Sequence, residues 1–212
     1  MRYAISDIHG CSKTFLALLN QIPFNSANDT LYLLGDYIDR GPDSKGVLDI
    51  VMQLPNTVCH KGNHEDMMLR ALSPNGEADL YSWMINGGRQ TLNSFESNFG
   101  DKYINFLNQL TMTTKLDDFY LAHAGIRSAD AMNTPELTLL WDRDCKVDLT
   151  LTGNRRLICG HTVTPLELIE DSILADKVVI DAGCVFKEHF GNLVALRLDD
   201  MKLFVQPNIE DK

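Results

Sequence analysis

Short apolar runs rich in β-branched and aromatic residues recur at positions 3–5, 31–34, 57–59, 119–121, 157–159, 178–180, 193–198 and 203–205. Their length and composition predict strands. Amphipathic patterns separate the first three. Residues 12–21 carry Phe15, Leu16, Leu18 and Leu19 behind Ser12, a suitable helix cap, and residues 43–54 carry Val47, Leu48, Ile50 and Val51 on one stripe. Strand, helix, strand, helix predicts parallel pairing through right-handed crossovers.

After Asn63 the pattern turns helical through residues 65–72, 78–85 and 102–110, with loop signals at Ser73-Pro74-Asn75-Gly76 and Gly87-Gly88. These residues read as a helical insert at about 65–115. From Phe119 onward strands dominate with few helical crossovers, which predicts a mixed or antiparallel second half. No repeat, low-complexity tract or long linker interrupts the chain, so one domain over residues 1–212 is expected, with an acidic tail at 209–212 expected to fray.

Composition narrows the function classes. Of 212 residues, 44% are hydrophobic and 23% charged, the balance of a globular protein. The 29 acidic against 19 basic residues leave a formal charge of −10, which argues against a general nucleic-acid or membrane binder. No window approaches the apolar length of a membrane span, and Met1-Arg2-Tyr3 enters a strand-like run without a signal-peptide core, so a cytoplasmic location is expected. The five cysteines, Cys11, Cys59, Cys145, Cys159 and Cys184, are scattered and odd in number, suggesting neither a disulfide framework nor a thiolate zinc site.

The chemistry lies where the apolar runs end. Residues 3–6 lead into Asp7-Ile8-His9-Gly10, residues 31–34 into Gly35-Asp36-Tyr37-Ile38-Asp39-Arg40-Gly41, and residues 59–61 into Gly62-Asn63-His64-Glu65. Two further runs reach His123-Ala124-Gly125 and Gly160-His161-Thr162. Ligands collect at the carboxyl ends of strands in open α/β sheets, so the five segments are candidates to converge on one site.

Singly, each segment has a plain alternative: Asp7 a helix cap, Asp36 and Asp39 a turn, either histidine a half-buried structural residue. Together they are harder to dismiss, because four of only six histidines stand in glycine-flanked positions after apolar runs. Asp7, His9, Asp36, Asn63, His123 and His161 offer oxygen and imidazole donors and no thiolate. That donor set suits a pair of divalent ions, with Asp36 able to bridge them.

The same segments, in this order, resemble the phosphoprotein phosphatase branch of the calcineurin-like metallophosphatases from the first residues to about Thr162. The resemblance is closer to bacterial and phage serine/threonine protein phosphatases than to symmetrical diadenosine tetraphosphate hydrolases. It implies an α/β fold, a metallophosphatase sandwich of two mixed β-sheets flanked by α-helices. It also implies that Asp7, His9 and Asp36 hold one metal while Asp36, Asn63, His123 and His161 hold the other, with Mn2+ favoured and Fe or Zn as alternatives.

The resemblance assigns His64 as the acid that protonates the leaving oxygen and Asp39 as its partner. Arg40 is assigned to phosphate binding, and Arg143, in Trp141-Asp142-Arg143, is preferred to Arg127 as a second clamp, with Trp141 read as core packing. Lys61 stands where relatives often carry arginine. Asp181 is placed behind His161, with a strand-ending turn as its alternative. His60 and His189 are expected to be structural or surface residues, and Met67 and Met68 to pack in the core.

The implied function is hydrolysis of phosphoserine and phosphothreonine, with phosphotyrosine as a further candidate, by direct attack of a metal-activated hydroxide on phosphorus. Phosphorylated proteins are then the expected partners. Dinucleoside polyphosphate hydrolysis is the alternative. Glu65, where those hydrolases usually carry Asp, and the lack of a basic stretch weigh toward the protein substrate. A non-catalytic binding module of the same fold is a third reading, opposed by the completeness of the motif set.

Overall fold

The computed structural model describes residues 1–127, 133–144 and 146–211; Cys145 and Lys212 lie outside them. Two mixed sheets form the centre. In the first, β3 (Thr57–Cys59), β2 (Thr30–Leu33) and β1 (Arg2–Ile5) run parallel, and β8 (Asn192–Arg197) and β9 (Lys202–Pro207) continue antiparallel. The second has the order β4 (Thr113–Lys115), β5 (Phe119–Ala122), β6 (Arg156–Cys159), β7 (Lys177–Val179), with β5, β6 and β7 parallel and β4 antiparallel.

Alternation along each strand explains the three apolar layers. Tyr3 and Ile5 of β1, Leu31 and Leu33 of β2, and Leu193 and Ala195 of β8 join one cluster, beneath the helices. Their neighbours Ala4, Tyr32, Val194 and Leu196 point the other way, against Phe119, Leu121 and Ile158 of the second sheet. Tyr120, Ala122, Leu157 and Cys159 face outward under Ile126 and Leu139. Central strands buried on both faces must be apolar at nearly every position, which is why they read as unbroken runs.

Helices α1 (Ser12–Gln21) and α2 (Ser44–Val51) are the expected crossovers. Asp43 caps α2 by accepting from Gly46 N (2.8 Å). Ser12 does not cap α1: its hydroxyl donates to Asp43 (2.7 Å). The cap comes instead from Glu210, whose Oε1 accepts from Thr14 N (2.9 Å) and Thr14 Oγ1 (3.0 Å). The tail expected to fray is therefore anchored, with Glu210 only 7% exposed.

After β3 come α3 (Asn63–Ala71), α4 (Glu77–Trp83), a kink over Met84–Gly88 with Gly87 at φ 109°, α5 (Arg89–Ser94) and α6 (Asp101–Asn108). Helices α7 (Glu136–Trp141) and α8 (Leu166–Ser172) join the strands of the second sheet. Both lay outside the predicted pattern, and α8 supplies the crossover that keeps β6 and β7 parallel. No helix among the described residues is long and apolar enough to cross a membrane.

Candidate metal centre

Five strands end on the same side of the molecule. The loops after β1 and β2 are zipped by backbone bonds from Asp7 N to Gly35 O (3.2 Å), His9 N to Asp36 O (2.9 Å) and Gly10 N to Tyr37 O (2.8 Å). Gly160 N, after β6, donates to His123 O, after β5 (2.8 Å). Across the two sheets, His161 N donates to Asp7 Oδ2 (3.0 Å). Gly160 makes that approach possible, because a Cβ there would overlap Ser6 Oγ and Asp7 Oδ2.

The side chains converge. Asp36 Oδ2 lies 3.5 Å from His9 Nε2, and its Oδ1 lies 3.5 Å from His123 Nε2. Asn63 Oδ1 lies 2.9 Å from both His123 Nε2 and His161 Nδ1, which are 3.2 Å apart. Two acid and histidine groups could each hold an ion: His9, Asp36 and His64, and Asp36, His123 and His161, sharing Asp36. Asp7 adds a carboxylate through its contact with His161 N and accepts from Ser6 Oγ.

The protonation pattern tests whether cations fit. His9 Nδ1 is bonded to Ile38 O (2.9 Å) and His123 Nδ1 to Leu34 O (2.9 Å), so these ring nitrogens donate and each Nε2 presents a lone pair inward. The His123 Nε2 lone pair thus meets the Asn63 Oδ1 acceptor at 2.9 Å with no proton between them. Burial, above all, holds His9, His123 and His161 below their ordinary basicity, as metal ligation requires. Burial also pushes the Asp36 and Asp181 carboxyls well up, and the neighbouring Asp7 charge adds to it. Buried acids and inward imidazole lone pairs are a cation's complement, and the donor set fits divalent metals.

Six site residues, Asp7, His9, Asp36, Asp39, Arg40 and His161, hold positive φ between 45° and 71°. Left-handed backbone at so many non-glycine positions is strain concentrated at one place. Glu65 helps to hold it: one carboxylate accepts from Asp36 N (2.9 Å), Tyr37 N (2.8 Å) and Gly62 N (2.9 Å). Its side chain is fully buried beneath the loop.

His64 Nδ1 lies 2.7 Å from Asp39 Oδ2, while its buried Nε2 has no hydrogen-bond partner and lies 3.9 Å from Asp36 Oδ2. Asp39 also accepts from Trp83 Nε1 (3.0 Å) and Thr91 Oγ1 (2.6 Å) of the helical insert. Burial raises the Asp39 carboxyl to about 7 despite these donors. Sequence reasoning missed Trp83, Thr91 and Ser6; the first two are ordinary helix residues and Ser6 follows the end of β1, none with a motif.

Arg40 NH1 lies 2.6 Å from His9 Nε2, at the edge of the ligand cluster. Arg143 follows α7, close enough for its charge to depress the basicity of His123 and His161. Arg127 is engaged by Asp142 (Nε to Oδ2 2.9 Å). Trp141 is not core packing: it is 37% exposed and meets the His161 ring edge-on at 5.9 Å. Asp181 Oδ1 accepts from Gly183 N (2.9 Å), the strand-ending turn, and no hydrogen bond among the described residues joins it to His161. His60 is buried against Thr114 Oγ1 (2.8 Å), His189 is exposed, and Met67 and Met68 are in the core.

Residues 3–165 match the model of the calcineurin-like phosphoesterases, and the chain belongs to that family. A symmetrical bis(5'-nucleosyl)-tetraphosphatase of Chromobacterium violaceum is 29% identical over a 270-position alignment covering 97% of this chain and 94% of the relative. The chain spans less of other relatives with that name, 44% of the one from Nitrosomonas europaea, at 30% identity over 58% of this chain. Among solved structures, a putative diadenosine tetraphosphatase superposes with a TM-score of 0.71 at 20% identity, covering 99% of this chain and 94% of its own. A serine/threonine phosphatase of Saccharomyces cerevisiae has a TM-score of 0.62 at 15% identity, covering 100% and 80%. The fold alone therefore does not choose between the two substrates.

Proposed function

We propose that this protein is a metal-dependent hydrolase of dinucleoside polyphosphates. The observation that carries the reading is the nearly end-to-end match to a chain named as a symmetrical tetraphosphatase. The phosphoprotein reading rested on the resemblance to bacterial and phage phosphatases, on the lack of a basic stretch and on Glu65, whose carboxylate is buried and spent on backbone N–H groups under the Asp36 loop. It ranks second.

Asp7, His9 and Asp36 would hold one divalent ion, and Asp36, Asn63, His123 and His161 the other, Mn2+ being the favoured metal. Bound there, such a pair supplies Lewis-acid charge to the phosphate and activates water for in-line attack at phosphorus. Arg40 and Arg143 bind the phosphate oxygens, and each offers a planar fork that a lysine lacks. In its imidazolium form His64 hands a proton to the departing oxygen from Nε2, and Asp39, bonded to Nδ1, orients the ring and offsets the charge that burial disfavours.

The test is ADP release from diadenosine tetraphosphate against phosphate release from a phosphoserine peptide, with manganese-loaded protein and a chelator control. Preference for the dinucleotide is expected. Preference for the peptide restores the phosphoprotein reading, and no chelator-sensitive turnover of either leaves a binding module.

A further inference from the structure

Arg40 faces two ways. One guanidinium nitrogen meets His9 at the ligand cluster (2.6 Å), and the guanidinium carbon lies 5.6 Å from the centre of the Phe186 ring. On the Phe186 side opens a pocket of about 520 Å3, lined by Arg40, Asn86, Gln90, Val185 and Phe186, with Ile85 at its edge. The kink between α4 and α5 lines one side of it, where Gly87 at φ 109° accepts from Arg40 N (3.2 Å) and a Cβ would stand 2.7 Å from Arg40 Cγ.

We infer that this pocket binds one nucleoside of the substrate, with Phe186 as the stacking face for the base. The inference rests on the dinucleotide reading above and names where its nucleoside sits. Four observations carry it. The pocket is continuous with Arg40, so a phosphate held there places whatever it is esterified to beside Phe186. Phe186 is 40% exposed and Ile85 65% exposed, apolar surface that the core does not use. The Asn86 Nδ2 is already committed to Ser82 O (2.8 Å), which leaves its oxygen as an acceptor for an exocyclic amine, and Gln90 adds a second amide. In a chain of net charge −10, this wall contains no acidic residue, and its volume lies in the usual range for small-molecule sites.

The experiment compares ADP with inorganic pyrophosphate as competitors of glycerol 2-phosphate hydrolysis, followed by glycerol release from manganese-loaded protein. Both competitors present a diphosphate, so the ratio of their inhibition constants isolates the nucleoside. Wild type is expected to bind ADP about tenfold more tightly than pyrophosphate, Phe186→Ala to bring the ratio to about one, and Phe186→Trp to restore it. A ratio near one in wild type, or one unchanged in Phe186→Ala, overturns the subsite. The readout does not need dinucleotide turnover: a Phe186-dependent ratio without cleavage of diadenosine tetraphosphate supports the subsite and removes the proposed substrate, while cleavage with a flat ratio does the reverse.

Discussion

The Nδ1 of His64 and the Oδ2 of Asp39 lie 2.7 Å apart in a space where both side chains are almost wholly buried. The contact fixes the ring so that Nε2 points at the ligand cluster. A departing serine alkoxide is strongly basic and needs that proton, whereas a departing nucleoside diphosphate is a stable anion. His64→Asn should therefore lower kcat on an alkyl phosphomonoester by about 10²- to 10⁴-fold, with a loss at least about tenfold smaller on diadenosine tetraphosphate. Metal content, measured by elemental analysis, should fall far less than turnover. Equal losses on both substrates would contradict the role given to the His64 proton.

Asp36 is the shared ligand of the two candidate groups. Asp36→Asn removes the charge between them and should reduce both bound metal and turnover, which separates it from His64→Asn. Retention of the full metal content would contradict the bridging assignment.

Glu65 supports the same loop from below. Glu65→Ala strips three backbone N–H groups of their acceptor and should cost about 3 kcal/mol of stability in denaturant unfolding. Glu65→Asp is too short to span them and should also destabilise. Because the side chain is buried beneath the loop, the ratio of dinucleotide to phosphopeptide turnover should not move in Glu65→Asp. A shift in that ratio would return the residue to the specificity role suggested by the sequence.

The donors on Asp39 explain what the helical insert does besides walling the cleft. Trp83→Phe removes an N–H from a buried carboxylate and should lower stability by about 1.5–3 kcal/mol and reduce kcat without raising KM. An unchanged unfolding midpoint would show that the contact is dispensable.

Much of this was legible in the chain because both signals are local. Doubly buried strands read as apolar runs, and their ends read as glycine-flanked Asp, Asn and His. What could not be read depends on long sequence separation or on very short elements. Nothing near Ser12 announces that the cap of α1 is Glu210, 196 residues from Thr14. Trp83 and Thr91 look like any buried helix residues until Asp39 is beside them. The three residues of β4 are polar, and α7 and α8 span six and seven residues, too few for a helical period to declare itself. The positive φ at Asp7, His9 and Asp36 is equally silent, because only glycine advertises that conformation.

The anchored tail has a measurable consequence. Glu210→Ala leaves Thr14 N without its acceptor at the start of α1 and should cost about 1 kcal/mol, with faster amide exchange in the first turn. Unchanged exchange there would mean that solvent replaces the carboxylate at no cost.

A surface charge cluster provides the pH-dependent case. Asp49 on α2 receives Lys45 Nζ (2.7 Å), Tyr103 OH (2.6 Å) and Lys102 Nζ (3.2 Å), tying α2 to α6. Partial burial raises its pKa, but the three donors overcome that and bring it from 3.8 to about 2. A carboxyl whose folded pKa lies below its unfolded value stabilises the fold above the unfolded value, and that contribution fades as pH falls toward the folded one. Asp49→Asn should therefore be less stable than wild type near neutral pH, with the difference in melting temperature shrinking as pH drops below about 3.8. Added salt should shrink it at neutral pH as well, since the pairs are solvent-facing. A difference that stays constant from neutral pH to pH 3 would assign the effect to the hydrogen-bond geometry of the cluster rather than to its charge.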